Sequence, residues 1–179
     1  DLLALSRVGR LGRKFEVTDC SEVVAQAVDN LEAAIAEHSG KVVFDELPVV
    51  MGDATQLTQL FQNLIGNAIK FHGDEPPVVN VTAEHIGTEW QIKVRDNGIG
   101  IDPKLTDRIF VIFQRLHTRT EYPGTGIGLA ICKKIVERHG GRIGVEAGSD
   151  GGSVFYFTIS KMESPDETRK TQFSVTAVP

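Results

Sequence analysis

Apolar residues recur at helical spacing in three segments of the chain, Ser21–Glu37, Ala54–Lys70 and Gly126–His139. Asp53 lies directly before the second segment, at a position where aspartate favours a helix N-cap. The pair Gly140-Gly141 follows the third segment, and glycine commonly ends helices. The pattern therefore predicts three helices.

Around these segments apolar and polar residues alternate with a period of two, which is typical of strands. Gly87-Thr88 separates two such runs and predicts a hairpin turn. The predicted strands are Lys14–Thr18, Lys41–Leu47 with an extended Pro48-Val49-Val50 after it, Val78–Ile86, Glu89–Val94, Arg142–Glu146 and Ser153–Ser160. Many strands with few helices predict an α/β (α+β) two-layer sandwich, with one mixed sheet and about three helices on one face.

Four other segments differ from this core. Asp1–Arg10 has the pattern of a short helix, and Asp102-Pro103 begins another. Thr106–Pro123 has no period and is long for a loop, which favours a functional lid. Lys161–Pro179 is polar, and we expect a mobile tail. The predicted division is 1–12, a domain at 13–160, and a tail at 161–179.

Net charge, cysteine spacing and the length of apolar runs disfavour several classes of function. The formal net charge is −5, which disfavours a nucleic-acid duplex as partner because such surfaces are basic. The two cysteines, Cys20 and Cys132, have no metal-ligand spacing. No apolar run approaches the roughly 20 residues of a membrane span, so we expect a cytoplasmic domain, whose full-length protein could still be attached to a membrane.

Three motifs carry candidate chemistry. Asn63, Asn67 and Lys70 share one face of the second helix, where amide oxygens suit Mg²⁺ and lysine suits phosphate. Asp96-Asn97-Gly98-Ile99-Gly100 follows a strand, and its carboxylate can accept a hydrogen bond from an amine. Gly124-Thr125-Gly126-Ile127-Gly128 leads into a helix, where free N–H groups suit phosphate. Taken singly, each motif is better explained by a solvated helix face or an ordinary turn.

The joint order of the motifs is more specific. N-x-x-x-N-A-x-K-F, D-x-G-x-G, F-x-x-F-x-R and G-x-G-x-G-L-A follow one another, and this order resembles the N, G1, F and G2 boxes of the GHKL ATP-binding superfamily. The resemblance runs from about Thr18 to Ser160. The segments Gln59–Phe71, Ile109–His117 and Phe113–Gly141 are similar to sensor histidine kinases, the last to the phytochrome-like and multi-sensor group.

The resemblance implies a Bergerat fold, the cofactors ATP and Mg²⁺, and a role for each motif. Asn67, helped by Asn63, would ligate Mg²⁺, while Lys70 and Arg115 would hold phosphates; Asn63, Lys70 and Arg115 are the expected catalytic residues. Phe110 and Phe113 would anchor the lid between Asp107 and Pro123. The expected nucleotide-binding set is Asn63, Asn67, Lys70, Phe71, Asp96, Gly98, Ile99, Gly100, Phe110, Phe113, Arg115, Gly124, Thr125, Gly126, Ile127, Gly128 and Leu129.

The resemblance also implies a missing partner. None of the five histidines has the family's acceptor context, so we expect a fragment in which 1–12 end the dimerisation and phosphoacceptor hairpin and the acceptor histidine lies upstream. The implied partners are that hairpin and the receiver domain of a response regulator, with a monomeric fragment and a homodimeric full-length protein. Two alternatives stay open. One is a nucleotide-binding module without transfer activity, and the other is a different GHKL ATPase or serine kinase.

Overall fold

The computed structural model of the chain describes residues 14–106, 108–113 and 125–161. The predictions for the first twelve residues, for most of the lid and for the tail lie outside these ranges. Within them the chain forms seven strands: β1 Glu16–Asp19, β2 Lys41–Phe44, β3 Val49–Gly52, β4 Val78–Ile86, β5 Glu89–Asp96, β6 Ile143–Ala147 and β7 Ser153–Ser160.

Five of these strands form the mixed sheet that the sequence predicts. The spatial order is β2-β4-β5-β7-β6. β2 runs parallel to β4, and the other neighbours are antiparallel. The β4–β5 hairpin turns at Gly87, whose φ of 60° lies in the left-handed region. Asp96 is the last residue of β5, the central strand of this sheet, so its carboxylate lies at the end of that strand.

The prediction of a single sheet was wrong for the first and third strands. β1 and β3 pair antiparallel in a separate two-stranded sheet. The inward side of this sheet carries the buried Thr18 and Val50, and the Thr18 hydroxyl donates to Gly52 O at 3.2 Å. An isolated bridge from Val50 to Lys161 links the small sheet to the chain just after β7.

Four α-helices are present in the described residues: α1 Cys20–Asn30, α2 Glu32–Glu37, α3 Ala54–Lys70 and α4 Gly128–Arg138. The prediction of one continuous helix to Glu37 was wrong, because the backbone leaves helical geometry at Leu31 (φ −105°, ψ 3°). Leu31 lies between α1 and α2 and packs against the core. The predicted helix after Asp102 is a single 3-10 turn at Pro103–Leu105.

Helix α3 has the predicted bounds because its sequence contains both a cap and a clear apolar face. Asp53 accepts a hydrogen bond from Gln56 N at 3.2 Å, which satisfies a free donor of the first turn. The apolar face is fully buried against the sheet and the neighbouring helices, and Phe61 meets Phe157 of β7 edge to face at 5.6 Å. The helices therefore cover one face of the sheet. No helix in the described residues is both long and apolar enough to cross a bilayer.

Candidate nucleotide site

The last two turns of α3 present Asn63, Asn67 and Lys70 on one half-buried face, as the spacing predicts. The Asn63 amide donates a long hydrogen bond of 3.4 Å to the carbonyl of Gly128, the first residue of α4. The Asn63 amide also forms a hydrogen bond with the thiol of Cys132, which lowers the pKa of that thiol. Burial has the larger effect and raises the pKa to about 12. The thiol therefore stays protonated and uncharged. The polar side chains of this face are those of α3.

Asp96 is the electrostatic centre of the second motif. Its side chain is buried, and its Oδ1 accepts hydrogen bonds from Gly98 N at 2.9 Å and from Ser153 N at 3.0 Å. Burial raises the pKa of Asp96, while these two N–H donors lower it. Among the described residues both donors point to Oδ1, and none donates to Oδ2.

Gly98 lies where no side chain fits. A Cβ at this position would collide with the carbonyl oxygen of Phe71, the residue that caps α3. The same carbonyl accepts a hydrogen bond from Ile99 N at 3.0 Å. The glycine therefore lets the second motif bind directly to the end of α3, and the Ile99 side chain, which is 45% exposed, lies on the open side of this junction.

The sequence prediction missed Gly152 and Ser153, which complete the surroundings of Asp96. Gly152 has φ of 70°, and a Cβ there would collide with the carbonyl oxygen of Asp96. It also lies against Gly100 of the second motif. The sequence signal was the Gly151-Gly152-Ser153 run, in which the hairpin interpretation treated the two glycines only as turn residues and Ser153 only as the start of a strand.

The F and G2 boxes are in direct contact. Phe113 N donates to Gly126 O at 3.1 Å. Phe110 packs against the core, whereas the Phe113 side chain is 63% exposed and contributes its backbone to this contact. Arg115 and Gly124 lie outside the described residues, so their predicted roles stay predictions.

The remaining residues of the G2 motif lie at the start of α4. Thr125 is exposed, Gly126 has φ of 72° and Ile127 is buried. Gly128 is the first residue of the helix, and Leu129 packs against the core. No side chain caps this helix end. Its first N–H groups therefore have no side-chain acceptor among the described residues, as a phosphate site requires.

Backbone and side-chain contacts thus bring all four motifs around one site. The N box contacts G2 through Asn63 and Gly128, and it contacts G1 through Phe71 and Ile99. The F box joins G2 near Gly126. These motifs are up to 65 residues apart in the sequence, and the fold makes them neighbours.

A second polar cluster at the other end of α3 also escaped the sequence prediction. His139 caps α4, donates from Nδ1 to Ile135 O at 2.8 Å and accepts at Nε2 from Asp53 N at 3.0 Å. Arg138 bonds Asp53 at 3.2 Å and Gln56 at 2.6 Å. Burial is the main cause that lowers the pKa of His139. This cluster fixes α4 to the start of α3 and lies apart from the four motifs.

Comparison with known proteins agrees with this arrangement. Residues 52–163 match the family of histidine kinase-, DNA gyrase B- and HSP90-like ATPases. Cyanobacterial phytochrome A of Nostoc sp. (strain PCC 7120) is 55% identical over 159 residues, which are 89% of this chain and 21% of that protein. The chain thus spans about a fifth of the length of this curated relative.

Solved structures give the same result. The catalytic domain of histidine kinase ThkA, in a nucleotide-free form, has a TM-score of 0.72 at 32% identity, covering 83% of this chain and 97% of that one. Full-length ShkA in complex with AMPPNP has a TM-score of 0.74 at 27% identity, covering 92% and 35%. The chain therefore belongs to the histidine kinase-, DNA gyrase B- and HSP90-like ATPase family and contains the ATP-binding catalytic domain of a sensor histidine kinase.

Proposed function

We propose that this domain binds ATP with Mg²⁺ and donates the γ-phosphate to a histidine on a helical hairpin, for relay to an aspartate on a response regulator. The observation that carries the proposal is the Asp96 carboxylate, which is buried and has one oxygen held by two backbone N–H groups. A fixed carboxylate beside backbone that lacks side chains suits the flat base and exocyclic amine of adenine.

In this proposal Asp96 Oδ2 accepts a hydrogen bond from the adenine amine. Gly98 and Gly100 let the backbone approach the ring, and the exposed Ile99 side chain packs near it. Phe71 contributes through its carbonyl, which fixes Ile99 at 3.0 Å. Because a carboxylate only accepts hydrogen bonds, this contact favours a base that has an amine at this position.

The phosphates would extend toward α3 and the start of α4. Lys70 and Arg115 supply positive charge, and the N–H groups that open α4 at Gly128 suit phosphate oxygens. Asn67 and Asn63 supply the amide oxygens for Mg²⁺, which favours oxygen ligands and takes others from phosphates and water. When bound, Mg²⁺ neutralises charge on the transferring phosphoryl group.

Transfer is favoured over hydrolysis by the chemistry of position 63. The resemblance places a glutamate there in the ATP-hydrolysing branches, where it activates water. The Asn63 amide cannot accept that proton, and its nitrogen faces the Gly128 carbonyl. The domain therefore positions ATP without activating water, and the acceptor nucleophile is supplied by a histidine of the hairpin.

Two partners follow from this proposal, the phosphoacceptor hairpin of the same kinase and the receiver domain of a response regulator. We further propose that the catalytic domain alone is monomeric and that the hairpin makes the full-length protein a homodimer. The proposed divisions at residues 1–12, 13–160 and 161–179 assign the hairpin end, the catalytic domain and a tail.

The test is calorimetric titration of ATP with and without Mg²⁺. Asn67→Ala should abolish most of the Mg²⁺-dependent gain in affinity while leaving binding without Mg²⁺ nearly unchanged. Asn80→Ala is the matched control, because it makes the same chemical change on an exposed position of β4. ATP binding that ignores both Mg²⁺ and Asn67→Ala would contradict the proposed metal role. Absence of ATP binding would contradict the function itself.

A further inference from the structure

Two histidines from different helices meet next to the end of α3. His38 follows α2 as its C-cap, and His72 follows Phe71, the C-cap of α3. Both side chains are half-buried. His38 Nδ1 lies 3.0 Å from His72 Nε2, and the rings meet edge to face with centroids 4.9 Å apart. The pair therefore brings two imidazole nitrogens to one point on the surface.

The hydrogen bonds around the pair set the state of each ring. His72 Nδ1 lies 2.6 Å from Gly73 O, which can only accept, so Nδ1 carries the proton and Nε2 keeps its lone pair. An imidazole whose other nitrogen donates to a backbone carbonyl has the arrangement found in most metal-binding histidines. His72 is thus oriented to present Nε2, which in the metal-free chain accepts a hydrogen bond from His38 Nδ1 at 3.0 Å. Metal binding displaces this proton from His38 Nδ1, and the neutral ring then carries it on Nε2, so that both facing nitrogens can ligate.

The nitrogen separation selects a coordination geometry. Two metal–nitrogen bonds of roughly 2.0–2.1 Å that end on atoms 3.0 Å apart enclose an angle of about 91–97°. This is the angle between neighbouring ligands in square-planar or octahedral sites, whereas a tetrahedral ion needs about 109°. For both lone pairs to reach one ion, each must turn from the line between the nitrogens by about 45°. Among the described residues the His38 ring makes no second hydrogen bond that would oppose this rotation.

We propose that His38 and His72 form a two-histidine site for a divalent transition metal ion of tetragonal or octahedral geometry, Cu²⁺ or Ni²⁺, with water at the other positions. The described residues offer no group of three or more His, Cys, Asp or Glu side chains for a metal, so protein ligands from this part of the chain number two. The ion joins the ends of α2 and α3 and is independent of the Mg²⁺ of the nucleotide site.

The test is titration of the untagged chain with NiCl₂ by calorimetry, without nucleotide, together with the electron paramagnetic resonance spectrum of the protein with one equivalent of Cu²⁺. The variants are His38→Ala and His72→Ala. The control is His85→Ala, which removes an exposed histidine that contacts Trp90 on the β4–β5 hairpin. Circular dichroism establishes that each variant is folded.

The proposal predicts one Ni²⁺ per chain and a Cu²⁺ spectrum with nitrogen ligands. Loss of either histidine should weaken binding at least as much as loss of an outer-shell partner, about 10- to 100-fold, and His85→Ala should have no effect. Equal affinity of wild type and His38→Ala would overturn the site. A Cu²⁺ spectrum that is the same for wild type and for His72→Ala would overturn it as well.

Discussion

Replacing Asp96 by asparagine separates nucleotide binding from folding. The amide has nearly the same shape, and its oxygen can still accept the N–H groups of Gly98 and Ser153. Its NH₂ group would then take the place of Oδ2. This group donates, so it faces the adenine amine donor to donor and the proposed hydrogen bond is lost.

The expected cost follows from the charge and burial of the contact. A hydrogen bond to a charged group contributes about 1.5–3 kcal/mol, which corresponds to roughly 10- to 150-fold in Kd. Folding responds in the opposite direction. Burial raises the pKa of Asp96 above its value in the unfolded chain, so its ionisation lowers the free energy of unfolding at neutral pH. Asp96→Asn without nucleotide should be as stable as wild type or more stable.

The assay is calorimetric titration of ATP at pH 7.5, paired with thermal unfolding of the nucleotide-free proteins. Asp150→Asn is the matched control, because it removes a fully exposed carboxylate in the β6–β7 turn, which pairs with Arg95 of β5. It should leave Kd unchanged. A variant Asp96→Asn that binds ATP like wild type would refute the assignment of this carboxylate to the base. Weaker binding together with lower stability would indicate damage to the fold.

Two further predictions concern the contacts that hold the site and the helices in place. Gly98→Ala forces a Cβ into the Phe71 carbonyl and should lower the free energy of unfolding, measured in urea, by about 1–3 kcal/mol. At Gly73 a Cβ meets nothing within 4 Å, so Gly73→Ala should change this free energy by no more than about 0.5 kcal/mol. Equal losses of stability in the two variants would contradict the close approach at Gly98. Burial lowers the pKa of His139 in the fold, so the unfolded chain binds the proton more readily and the free energy of unfolding should fall as pH drops below about 6.5. The same pH series on His139→Asn should show a smaller fall, and an unchanged slope would show that this ring does not carry the effect.

Local signals predicted the helices and hairpins well where a cap or turn marked their ends. Asp53 and the apolar period fixed α3 from Ala54 to Lys70, and Gly87 marked the β4–β5 turn. The break at Leu31 was not predictable in this way, because the apolar period continues through it. The pairing of β1 with β3 depends on contacts between residues thirty or more positions apart, which no local pattern encodes.

The site shows the same division. Its motifs were recognisable because glycines, asparagines and an aspartate stand at fixed spacing. Ser153 was missed because it contributes only a backbone N–H to Asp96, 57 residues away in sequence, and any residue except proline has such a donor. The cluster of His139 and Asp53 was missed for a related reason, since its key donor is a backbone amide 86 residues from the ring.

Incubation with γ-³²P-labelled ATP and Mg²⁺ tests the proposed phosphoryl transfer to histidine most directly. The acceptor is the proposed phosphoacceptor hairpin, supplied as a separate polypeptide with either its acceptor histidine or alanine at that position. We expect label on the histidine hairpin alone, and no label with Asp96→Asn at limiting ATP. The label should be lost in acid and retained in base, as expected of a phosphorus–nitrogen bond. Release of labelled inorganic phosphate at the same rate with either hairpin, without labelled protein, would contradict it and identify an ATPase.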